Sequence, residues 1–414
     1  MLIFHKVRST VAQVGPGIAI AATGLGAADL VSVTVAGSRY GNLLVWAVVV
    51  GAVLKYVLNE GVARWQLATG LSVFEGWARY LSRLVIYYFL AYLLLWTFFV
   101  SGGLMVAAGL AAHSLVPGIS RQWWGLIQAL GAFIVVWIGT YERFEQVMKV
   151  LVALMFTAII GCVMAVGPRA DSFLLLPSVP QGSLPFTMGL IGGVGGSVTI
   201  LAYGYWIREK KWIGITWFKS VRTDLGIAYC LMGLFGIGAM LLSTEVLFKQ
   251  GIRVEGQAGV IRMASILQHT LGTPGQWLFL IGFWGAAFSS ILGIFQGVPY
   301  LFADYMFHMR GNSAGERDRY VSPRGRYYRL YLIYMTFPCM LMLFVERPIW
   351  VIVIYAAVSS LFLPFLALTL LFMNNRVQWV GKENRNGLVT NLLLVAAVSL
   401  FIYLGIDVLL PLLQ

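Results

Sequence analysis

Apolar positions in this chain run in blocks of about twenty residues, not in the alternating pattern of a half-buried strand or the three-and-four spacing of a half-buried helix. A helix of that length crosses the roughly 30 Å hydrocarbon layer of a bilayer. Lipid offers the backbone no hydrogen bonds, so a crossing segment must satisfy its own as a helix. The pattern predicts eleven such helices, over 11–38, 42–59, 83–112, 122–140, 146–167, 187–207, 223–243, 275–304, 327–345, 348–373 and 388–410. The chain is therefore read as an all-α polytopic membrane protein, one transmembrane domain over 1–414.

Two blocks break the rule. The first carries Gly24-Leu25-Gly26-Ala27-Ala28-Asp29 at its middle, and the sixth carries Gly192-Gly193-Val194-Gly195-Gly196-Ser197-Val198-Thr199. Each opens a group of five helices, 11–167 and 187–373, with 388–410 appended. That is the arrangement of a 5+5 inverted-repeat carrier, in which the first helix of each repeat is broken at mid-membrane and its loose backbone groups line a binding site. Glycines also let helices pack closely, but close packing does not account for an aspartate at mid-span, which costs a few kcal/mol without a partner or water. Two roles stand open for Asp29: a cap on the helix that restarts after it, or a ligand for a cation. Lys55, the only other charge well inside a span and away from its ends, either neutralises Asp29 or reaches an interface or wet vestibule.

Composition sharpens this picture. Hydrophobic residues make up 59% of the 414, charged ones 11%, and mean hydropathy is +0.83. The net charge of +13 is positional. Roughly 21 of the 29 Lys and Arg fall at the N-terminus and around 64–83, 143–149, 208–222, 310–329 and 376–385, all on one side of the membrane. The positive-inside rule makes that basic side cytoplasmic, with the N-terminus inside and the C-terminus outside, in the cell (inner) membrane. Orientation explains the basic loops, so no nucleic-acid partner is expected. The first block is full length and ends in no cleavage pattern, so no removable leader is expected either.

Little else carries chemistry. Cys162, Cys230 and Cys339 lie singly in apolar spans, and His5, His113, His269 and His308 show no ligand spacing. No phosphate loop, His-Glu-x-x-His helix or nucleophile motif occurs, which argues against an enzyme and calls for no cofactor.

The ordered set Gly15-Pro16-Gly17, Ala36-Gly37-Ser38 with Gly41, Gly70, Asp224, Ser289-Ser290, Gly293, Gly297 and Leu363-Pro364-Phe365 resembles the Nramp family of divalent metal transporters, a branch of the LeuT-type fold. The resemblance implies a LeuT-type 5+5 inverted repeat with an eleventh helix. Its departures fall at the site. The family's Asp-Pro-Gly-Asn is replaced by Gly26, Ala27, Ala28 and Asp29. Its Ala-x-x-Met-Pro-His is replaced by Gly196 with Thr199, Ile200 and Leu201, and its tenth-helix glutamine by Phe362. The third span lacks, over 100–107, the acids that assist proton movement in the family, while Arg329 keeps one basic position.

From the resemblance follows an alternating-access carrier of a divalent cation, without proton coupling. The expected metal site is Asp29, the Thr199 hydroxyl and carbonyls near Gly26 and Gly196. These are all oxygens, so a hard cation such as magnesium or manganese is favoured over softer metals. Gly24, Tyr203 and Phe362 are expected to line the pocket. An alternative is an amino acid or small organic cation, with the bare Gly24-Leu25-Gly26 turn receiving a carboxylate and Tyr203, Tyr205 and Phe362 enclosing the body. A third is a receptor or scaffold without transport, though family-like signalling proteins carry a large soluble extension. The expected partners are thus a transported small cation and the lipid bilayer; oligomeric state is not readable.

Overall fold

In the computed structural model, residues 15–168, 178–193, 197–310, 314–345, 358 and 362–413 are described. The helices in chain order are α1 (Pro16–Gly24), α2 (Ala27–Tyr40), α3 (Val45–Thr69), α4 (Val73–Tyr80), α5 (Arg83–Leu115), α6 (Arg121–Ile138), α7 (Tyr141–Val166), α8 (Leu184–Gly193), α9 (Thr199–Glu209), α10 (Phe218–Val246), α11 (Gly256–Met309), α12 (Arg317–Tyr320), α13 (Arg326–Thr336), α14 (Phe362–Met373), α15 (Val377–Val380) and α16 (Leu388–Leu413). Among the described residues, five stretches are long and apolar enough to cross a membrane unaided: Ala27–Thr69, Arg83–Leu115, Tyr141–Val166, Ile215–Gln250 and Gly259–Met309. No described residue is in a strand.

Local chemistry sets the ends of these helices. Ser120 and Thr140 cap α6 and α7 through their hydroxyls, and Ser72 with Glu75 forms a reciprocal capping box on α4. In α11, Gly272 takes φ 74° and bends the chain ahead of the predicted 275–304 span. The ninth predicted span stops being α-helical at Thr336, where Pro338 opens a 3-10 segment to Phe344. Most of the tenth span before Phe362 lies outside the described residues.

The two predicted interruptions are present. Neither α1, with nine residues, nor α8, with ten, crosses a bilayer alone. Both sit inside the bundle, α1 against α7, α10 and α11, and α8 against α2 and α3. Broken backbone is therefore lined by protein, the condition for irregular chain at membrane depth.

Candidate functional site

The break between α1 and α2 leaves carbonyls at the end of α1 without helical partners. Neighbouring α11 supplies them: Ser289 donates to the Ala22 carbonyl at 2.8 Å and Ser290 to the Thr23 carbonyl at 3.0 Å. Gly293, one turn on, has no room for a Cβ, which would fall on the Thr23 side chain. The serine pair and this glycine thus hold the broken end against a continuous helix.

On the far side of the break, Asp29 takes the cap position and also faces a cavity. Its Oδ2 accepts the Gly26 amide at 2.9 Å, the reciprocal half of an N-terminal cap, while its side chain also lines a cavity. At the second break, Lys55 of α3 is buried, and its Nζ donates to the Gly192 carbonyl at 2.6 Å. A cation at the C-terminal end of half-helix α8 is favoured by the helix dipole. Lys55 and Asp29 also lie close enough to interact electrostatically, so the Lys55 side chain links the two interruptions.

Between the breaks lies a cavity of about 40 Å³, lined by Thr23, Gly24, Gly26 and Asp29 from the first interruption and Ser197 and Thr199 from the second. Trp96, Val100, Leu104, Ser290 and Ile294 complete it, and Trp96 Nε1 donates to Ser197 Oγ at 3.1 Å. It has room for a water or a desolvated ion. Thr23, Ser197, Thr199 and Ser290 contribute hydroxyls and Asp29 a carboxyl.

The structure thus brings Asp29, Gly24, Gly26 and Thr199 together. Gly196 lies outside the described residues. Tyr203 and Phe362 are not among the residues lining this cavity. Tyr203 donates to Asp224 Oδ2 at 2.8 Å, because a buried phenol needs an acceptor. Phe362 is stacked on Tyr92 with ring centroids 5.9 Å apart. Tyr205 likewise donates elsewhere, to Asp304 at 2.7 Å. Arg329 lies over the ring of Trp137, 4.7 Å from its centroid.

Sequence reasoning missed a set of buried ionic contacts on the basic side. Asp224 accepts the Gly17 amide at 2.7 Å and the Gly15 amide at 3.1 Å, fastening the start of α1 to α10. Glu145 holds Lys149 and Lys210. Glu60 pairs with Arg64, whose guanidinium also donates to the carbonyls of Asn384 and Arg385. Asp304 takes Ser72, Tyr205 and Arg317, and Arg317 reaches Glu75 at 2.8 Å. The i,i+4 pairs Glu60–Arg64 and Glu145–Lys149 were visible in the sequence; the long-range partners were not.

Two membrane crossings broken at mid-length and facing each other over a polar cavity define a LeuT-type membrane protein. The chain belongs to the Nramp family: the family described as "Natural resistance-associated macrophage protein-like" matches residues 17–411. Among solved structures, a mutant of the Eremococcus coleocola manganese transporter is similar at a TM-score of 0.72 and 14% identity, covering 97% of this chain and 86% of that one. The same transporter in complex with an aromatic bis-isothiourea compound gives 0.70 and 15%, with the same coverage. A Na+-coupled sialic acid symporter in a substrate-bound outward-open state gives 0.63 and 13%, covering 95% and 89%. No curated protein matches by sequence.

Proposed function

We propose that the protein is an alternating-access carrier of a divalent metal cation, with the cavity between the two breaks as its cargo site. One observation carries this reading: a carboxyl and three hydroxyls at two broken helix ends, joined by the Ser290 hydroxyl of α11, in a chain of the Nramp family. The manganese transporter among its structural neighbours supports the substrate class. Asp29, Thr199 and carbonyls near Gly26 and Gly196 supply the ligands. An oxygen-only set suits hard, partly hydrated magnesium or manganese and gives no preference to softer metals.

The repeats run over 11–167 and 187–373, and 388–410 is the added helix. The basic side faces the cytoplasm, where the contacts of Asp224, Glu145 and Asp304 close the inner route, and the C-terminus lies outside in a cell (inner) membrane. Transport proceeds down the cation gradient without protons, because the third span carries no acid over 100–107. The protein is a carrier and not an enzyme.

Lys55 favours a second reading. A buried lysine beside Asp29 competes with an entering metal ion for that carboxyl, and its ammonium form would pair with the carboxylate of an amino acid. Reconstitution separates the two. Liposomes loaded with metal- and pH-sensitive dyes are expected to take up Mn2+ or Mg2+ above protein-free vesicles with no lumenal acidification. Background metal flux together with amino-acid uptake overturns the first reading in favour of the second, and acidification in fixed ratio to metal overturns the uncoupled mechanism.

A further inference from the structure

Away from the cavity, α3 and α10 enclose a membrane-facing groove of about 330 Å³, within the ~300–1,000 Å³ range of small-ligand sites. Its walls are apolar, formed chiefly by Val49, Ala52, Val53 and Ile237, with Val49 43%, Val53 44% and Leu234 50% exposed. The groove exists because α10 carries no side chain at two places along one face. A Cβ at Gly226 would meet nothing within 4 Å, and one at Gly233 would meet only Ala52, at 3.9 Å.

The same face of α10 continues toward the basic side at helical spacing, from Gly226 to Arg222 and then Lys219. Both are exposed, the Arg222 side chain by 57%. Arg222 contacts the Tyr56 hydroxyl, which lines the groove, and lies 3.7 Å from Glu60. That carboxylate is already held by Arg64 at 2.6 Å, so two guanidiniums share one acid and positive charge is left over. The stacked pair Trp212–Trp217 precedes this point, as aromatic residues do at a membrane boundary.

We propose that this groove binds an anionic phospholipid from the leaflet on the basic side, its acyl chain lying along Gly226 and Gly233 and its phosphate held by Lys219 and Arg222. An apolar furrow ending in surplus cationic charge at the membrane boundary is complementary to that one amphiphile. Basic pockets between transmembrane helices recognise anionic headgroups through the same physics. A zwitterionic lipid offers the same chain but brings its own cation to the arginine. Because α3 belongs to the first group of five helices and α10 to the second, the bound lipid would link the two halves. The proposal rests on the chain being a membrane protein and is independent of what it carries.

Native mass spectrometry of the full chain in non-ionic detergent tests this, comparing phosphatidylglycerol with phosphatidylcholine of identical acyl chains. The wild type is expected to retain phosphatidylglycerol in preference by roughly tenfold or more. The double variant Lys219→Gln/Arg222→Gln should lose the preference, and Gly226→Leu, which fills the groove, should lose both adducts. Inorganic phosphate should not displace the lipid. Equal retention of the two lipids by the wild type overturns the proposal, as does an undiminished phosphatidylglycerol adduct on Gly226→Leu. Should Gly226→Leu fail to fold, Cys230→Trp, at an exposed position of the same groove, makes the same test.

Discussion

The start of α1 is held shut by one carboxyl, and its removal has a calculable effect. Asp224 accepts the amides of Gly17 at 2.7 Å and Gly15 at 3.1 Å and the Tyr203 hydroxyl at 2.8 Å, and Gly17 packs so closely that a Cβ would fall on the Asp224 backbone oxygen. Asp224→Ala leaves three buried donors unpaired. At about 1–3 kcal/mol per unsatisfied group, the closed arrangement loses roughly 3–9 kcal/mol relative to one in which α1 swings out and its amides reach water. A shift of that size changes the ratio of closed to open states on the order of a hundredfold or more. Hydrogen–deuterium exchange of the peptide covering residues 15–24, read by mass spectrometry, should accelerate at least tenfold by the same linkage. Tyr203→Phe removes only one donor, so it should change exchange by no more than a few fold. Exchange in Asp224→Ala indistinguishable from wild type would refute the idea that these contacts fasten the helix.

Three further outcomes are expected. Lys55→Met strips the Gly192 carbonyl of its donor and leaves Asp29 beside no opposing charge. It should lower the melting temperature in line with about 3–5 kcal/mol, the usual cost of breaking a buried pair from one side, as measured by nanoscale differential scanning fluorimetry. Asp304→Asn weakens the hold on Arg317, Ser72 and Tyr205; limited proteolysis should cut between residues 310 and 326 faster than in wild type, with the rest of the chain resistant. Gly293→Ala drives a methyl into Thr23, and overpacking costing about 1–3 kcal/mol should appear as a lower melting temperature, whereas Gly226→Ala, which meets open space, should leave it near wild type.

The long apolar blocks made the membrane class and the helix order readable, because a bilayer fixes both length and composition of what crosses it. The breaks were readable too, since glycine runs and a mid-span aspartate conflict with a continuous apolar helix. Side-chain direction was not. Tyr203 and Tyr205 lie two residues apart on α9 and both turn to acids brought in from other helices, Asp224 and Asp304, whose positions depend on the bundle as a whole. Phe362 was assigned by position in a family pattern, but an aromatic there finds Tyr92, Phe89 and Phe365 and packs with them. Lys55 shows the reverse case. Its charge and the option of neutralising Asp29 were conspicuous, yet its hydrogen-bond acceptor is the backbone carbonyl of Gly192, which no side-chain pattern encodes.

Calorimetric titration of Mn2+ and Mg2+ into purified wild type and Asp29→Ala reads directly whether a cation binds in the cavity at the two breaks. Loss of the sole carboxyl among the cavity's lining residues should weaken binding by tenfold or more, as expected for removing a charged ligand, with Asp29→Ala still folded by size-exclusion elution. Equal affinity in the two proteins, or heat from neither, would contradict a metal site between the broken helices.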